Sequence, residues 1–179
     1  MKNNQISLDV KDFLVVLEMA FAEGSATWTY PSMASVLGLS PSQVHGSVGR
    51  LLVSGLLHGK GLKGKVDREA LANFIVHGAR YAFPPVLGKP AWGILTAASS
   101  SLFEPELLVW NADAPMVWPH ARGEERGTSL APLHPCVPEA ILHDPALHKA
   151  LVYFDALRVG TAREREAAEV FFRWRLAWA

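Results

Sequence analysis

Apolar side chains in the first third of the chain recur at the three-and-four spacing of a helix face. Val10, Phe13, Leu14, Leu17, Ala20 and Phe21 mark one helix within residues 8–22, and Gly24 follows as a stop. Pro31 to Leu37 predicts a second, short helix, with proline at its first position and Gly38 after its last. The stretch "SPSQ" at 40–43 then sets Ser40 as N-cap, Pro41 at the first helical position and Gln43 at the third. Each of the two polar side chains can satisfy a backbone donor of the other, so a third helix starts here. Val44, Val48, Leu51 and Leu52 form its inward face, Ser42, Gln43, His45, Gly46, Gly49 and Arg50 point outward, and Gly55 closes it. Two outward glycines let this helix approach a surface closely, while weakening it by roughly 0.5–1 kcal/mol each relative to alanine.

Beyond Gly55 the period changes. "LLH" reads as a short strand, a Gly/Lys loop follows, Val66 starts a returning strand, and Asp67 caps a helix along "REALANFIVHGARYAF". Residues 84–145 hold ten of the twelve prolines and predict mostly irregular structure with one strand, "ELLVW" at 106–110. The tryptophans, leucines and valines of this region argue that it packs against the rest. Two helices close the chain, at about 145–158 and, behind the Thr161/Glu164 capping box, at about 162–177. The last carries Ala167, Phe171, Trp174 and Trp178 on one stripe, either core packing or a face for a partner or second copy. Arg158, Arg163 and Arg165 are expected as a solvated charge face, or in salt bridges with Asp155 and Glu166. The expected fold is mainly α with a small β-hairpin wing: a winged helix-turn-helix domain over 1–82, and a packing, dimerisation or partner-binding region over 83–179.

Charge adds little. Seventeen basic residues balance seventeen acidic ones, so attraction to nucleic acid or an anionic membrane must come from local clustering. Up to Val66 six basic residues face four acidic ones, and the remainder carries eleven against thirteen. The lone Cys136 has no intramolecular disulfide partner, which fits a reducing compartment, and no export signal or membrane span is legible, so a cytoplasmic protein is expected.

"GKGLKGKV" at 59–66 approaches a nucleotide phosphate loop, with Gly59, four residues and Gly64-Lys65. Val66 replaces the hydroxyl that magnesium requires, and the preceding strand is short and contains His58. A hairpin tip with Lys60, Lys63 and Lys65 beside a capped helix instead suits the phosphates of a duplex.

The segment "WTYPSMASVLGLSPSQVHGSVGRLLVSGLL" resembles the DNA-binding part of MarR-like winged-helix transcription regulators, over about the first 80 residues. That resemblance implies a homodimer on a palindromic operator. It makes Ser42, Gln43, His45 and Arg50 base-edge or nearby phosphate contacts, and Lys60, Lys63 and Lys65 wing contacts. The chain departs from that family after the wing, where a proline-rich segment replaces the long dimerisation helices. "GARYAFP", "VWP", "RGTSLAPLHPCVPEA" and "DALRVGTARERE" are similar to bacterial helix-turn-helix proteins of unassigned or antitoxin-type role, which adds a protein partner to the expectations.

Enzymatic signatures are incomplete. His120, His134, His143, His148 and Cys136 lack usual zinc spacing, "HGSVG" lacks a residue of the nucleophile elbow, and "EGS" at 23–25 is followed by no Asp-x-Asp pair. No catalysis, cofactor or metal is expected. The sequence points to a DNA-binding transcriptional regulator acting as a dimeric repressor on double-stranded DNA; the alternative is a protein-interaction module on the same scaffold.

Overall fold

The structure, a computed structural model, describes residues 5–22, 27–104 and 115–177. It is mainly helical, with a two-stranded antiparallel hairpin and a separate three-stranded sheet. Three N-terminal helices follow the predicted pattern: α1 Val10–Phe21, α2 Tyr30–Leu37 and α3 Pro41–Ser54. Each begins in a reciprocal capping box, formed by Asp9 and Asp12, Thr29 and Ser32, and Ser40 and Gln43. Gly38 and Gly55 end α2 and α3 in the left-handed conformation that favours glycine. The hairpin β1 Leu57–His58 and β2 Lys65–Val66 follows, then α4 Arg68–Phe74, capped by Asp67. A π turn at Ile75–Ala79 leads from α4 into the short α5 Arg80–Ala82.

α1 is more than amphipathic. Asp12 to Glu18 are buried without a break, because α2, α3, the hairpin and the C-terminal helix α7 Pro145–Val159 surround it. Phe13 shows this, with ring centroids 4.7 Å from Phe154 on α7 and 5.4 Å from Phe83 after α5. One hydrophobic cluster therefore runs from Phe13 and Leu51 to Phe154 and Phe172, across the boundary expected at residue 82.

The proline-rich region differs from its expectation. Among its described residues it holds three strands, β3 Ala91–Leu95, β4 Met116–Pro119 and β5 Glu125–Ser129, whereas "ELLVW" lies outside the described residues. β3 runs antiparallel to both others, through Ile94 opposite Trp118 and Trp92 opposite Arg126, and β4 runs parallel to β5. All three pairs are made, so the small sheet closes on itself. Gly93, paired with both partners, has no room for a side chain, because a Cβ there would run into the Trp118 carbonyl. Periodicity missed these strands because their burial is broken by proline and glycine at the crossings.

A buried carboxylate joins this sheet to α7. Asp155 accepts from Trp118 Nε1 at 2.6 Å and from Thr96 Oγ1 at 2.8 Å, with Arg158 Nε 3.4 Å away. Burial pushes Asp155 up to about 6, against the opposing pull of Arg158, Thr96 and Trp118. Arg158 is therefore not part of a solvated face; at 7% exposure it is the counter-ion of a core acid. A short α6 Val137–Ala140 precedes α7, and α8 Ala162–Ala177 packs on α7 and α4. Among the described residues no helix is long and apolar enough to cross a membrane.

Candidate nucleic-acid interface

The N-terminus of α3 is held by its cap. Ser40 Oγ accepts from Gln43 N at 3.2 Å and Gln43 Oε1 accepts from Ser40 N at 2.8 Å. Gln43 thus spends its carbonyl on the helix start. Ser40→Ala is expected to lower stability by about 1 kcal/mol, read as a lower urea midpoint with unchanged m value.

Val44, Val48 and Leu51 are buried and Leu52 is half-buried, so the inward face is as predicted. Ser42, Gln43, His45 and Gly49 are exposed on the other side, and Gly46 is half-buried. Nothing lies within 4 Å of a Cβ placed on Gly49, whereas one on Gly46 would stand 3.4 Å from Arg50 Nη1.

Arg50 does not project outward as the helical spacing predicts. Its Nε donates to Asp12 Oδ2 at 2.7 Å and its Nη2 to Asp12 Oδ1 at 2.6 Å, a bidentate pair. Asp12 is fully buried and also accepts from Asp9 N at 2.8 Å. A desolvated carboxylate needs a counter-charge, and Arg50, 38 residues away, supplies it. The hydrogen bonds that Arg50 donates to Asp12 raise its already high pKa. Arg50 anchors α3 on α1, and as a base-contact residue it is withdrawn.

The hairpin sits against α3. Leu57 pairs with Val66 and His58 with Lys65, and residues 61–63 form one tight turn. Leu62 is buried in the main core, which pulls the turn inward and leaves Lys60, Lys63 and Lys65 exposed around it. The loop joins two antiparallel strands and not a buried strand to a helix, so it lacks the setting of a nucleotide phosphate loop. At its base His58 Nε2 lies 3.1 Å from Asp67 Oδ2. The Ala70 N–H first, and His58 second, hold the Asp67 carboxyl below its usual range.

Tyr30, which periodicity did not single out, stands between these parts. Its ring centroid is 5.2 Å from that of His45. Its hydroxyl lies 2.9 Å from where a Cβ on Gly61 would be. The position just before Pro31 was its only mark in the sequence.

No family model, curated protein or solved structure matches the chain. What this face can do follows from its own chemistry: hydroxyl, amide and imidazole groups on an exposed helix, flanked by three ammonium groups and no carboxylate between Ser40 and Val66.

The second candidate surface, on α8, is rearranged. Phe171 stacks on Tyr153, with centroids 3.9 Å apart and planes at 12°, and also approaches Phe21. It belongs to the packing between α8, α7 and α1, and it is withdrawn as an interface residue. The buried stripe is Ala168, Phe172 and Leu176, shifted by one position from Ala167 and Phe171 and passing between Trp174 and Trp178, because that spacing faces α7 and α4 together. Trp174 remains 59% exposed, with Val170 at 62% one turn before it, and Trp178 lies outside the described residues.

Proposed function

We propose that the chain is a sequence-specific binder of double-stranded DNA and acts as a transcriptional regulator, a dimeric repressor in the cytoplasm. In this reading α2 and α3 are the helix-turn-helix, the β1–β2 hairpin is the wing, and Ser42, Gln43 and His45 of α3 meet base edges in the major groove. Gly46 and Gly49 let the α3 backbone come close. The observation that carries the proposal is the exposed, capped face of α3 beside a hairpin whose three lysines are all exposed and whose turn is anchored by Leu62. A helix can present hydrogen-bonding groups to a groove while a rigid basic turn touches the neighbouring phosphates.

Replacing Lys60, Lys63 and Lys65 together by alanine tests it. Affinity for every duplex should fall, and the slope of log K against log salt should shrink by up to about 3, near 0.9 for each lost phosphate contact. Fluorescence anisotropy at several salt concentrations reads both, using DNA upstream of the protein's own gene and a scrambled duplex. An unchanged slope in the triple variant would remove the hairpin from the interface.

A second reading, a protein-interaction module on the same scaffold, draws on exposed Val170 and Trp174, one turn apart on α8. It expects no duplex affinity above background and a stable complex with a protein partner.

A further inference from the structure

Tyr30 occupies a junction of three elements. It is the first residue of α2, its ring lies against His45 on the exposed side of α3 at 5.2 Å and 50°, and its hydroxyl meets the turn at Gly61. Gly61 adopts φ +56°, a left-handed conformation, and a Cβ there would come to 2.9 Å from the Tyr30 hydroxyl and 3.9 Å from Cζ. The turn therefore closes directly onto the tyrosine. Lys60 precedes Gly61, and Lys63 follows two residues later. The ring thus lies between the α3 imidazole and the basic turn.

We infer that Tyr30 is a positioning residue that fixes His45 and the lysine turn relative to each other, and so sets how sharply the protein discriminates between duplex sequences. This role rests on the DNA-binding reading above. Discrimination needs base-contacting groups held in register with the phosphate contacts, since a contact made in the wrong place reads nothing. Lysines on a loosened turn would still find phosphates, so affinity for arbitrary DNA does not depend on the tyrosine.

Two variants test the role, each at a temperature well below its own Tm. Tyr30→Leu keeps apolar bulk on the core side and removes the ring and hydroxyl. Its preference for the upstream duplex over the scrambled one is expected to fall about tenfold, about 1.4 kcal/mol, with scrambled-duplex affinity and salt slope unchanged. An undiminished preference in a folded Tyr30→Leu protein would overturn the role while leaving the DNA-binding reading intact. No duplex binding by the unaltered protein would overturn the DNA-binding reading itself. Gly61→Ala, made alone and with Tyr30→Phe, checks the contact independently of DNA. The loss in Tm caused by the alanine should be smaller when the hydroxyl is absent, and strictly additive losses would mean that turn and tyrosine do not touch.

Discussion

Replacing Arg50 by alanine is expected to lower the stability of the whole fold by about 3 kcal/mol, the low end for removing one partner of a buried ion pair. The arginine side chain is 32% exposed, but the Asp12 carboxyl is wholly buried and, among the described residues, would be left with the Asp9 N–H as its hydrogen-bond partner. The loss is carried by the stranded acid more than by the missing attraction. Arg50→Lys should recover only part, since a single ammonium cannot span both carboxylate oxygens as the guanidinium does. The double variant Asp12→Asn, Arg50→Ala should be less damaged than the two single losses added together, because it leaves no unpaired charge. Urea denaturation of the unaltered protein, Arg50→Ala, Arg50→Lys, Asp12→Asn and the double variant reads these differences. A single Arg50→Ala variant with wild-type stability but relaxed duplex preference would return the arginine to the proposed DNA-reading face and contradict the pairing.

Glu18→Gln should stabilise the protein near neutral pH by about 3 kcal/mol, in proportion to how far burial has moved the carboxyl. Glu18 is 1% exposed in the middle of α1, and among the described residues neither carboxyl oxygen is matched by a hydrogen-bond donor. Burial, and then the charge of Asp144 at the start of α7, push its pKa from 4.5 up to about 8. The unfolded chain releases this proton from about pH 4.5 upward, whereas the folded chain holds it until about pH 8. Stability is therefore lost as pH rises through that window and levels off above it. Glutamine has no proton to release, so the gain should be absent near pH 4, grow through neutrality and reach its limit above pH 8. Denaturation curves for both proteins across that range check it. A constant offset between them at every pH would mean that Glu18 titrates normally in the folded state.

Elements defined by local chemistry were legible in the chain. Ser40-Pro41-Ser42-Gln43 states where α3 starts, Gly55 where it ends, and Val44, Val48 and Leu51 which side it buries, because caps and helical period act within a few residues. The Thr161/Glu164 box likewise marks the start of α8. Strands β3 to β5 were not legible. Their pairing spans up to 36 residues, as between Ala91 and Gly127, and the glycines that make the crossings possible read locally as turns.

The candidate face divides the same way. Caps, glycines and lysines along the chain are enough to place a capped helix with polar and glycine positions on one side ahead of a lysine-bearing hairpin. Apolar spacing also makes α1 a helix with an apolar face. What each long side chain does depends on packing between distant elements. Arg50 turns back to Asp12 because a buried carboxylate must be matched by charge from another helix. Phe171 is taken into the core and Trp174 left outside because α8 meets α7 and α4 along the Ala168, Phe172 and Leu176 stripe. Tyr30 gains its neighbours His45 and Gly61 only when α2, α3 and the turn come together. Helical period assigns a residue to a face, but the partner that claims its side chain lies tens of residues away, where no local pattern reaches.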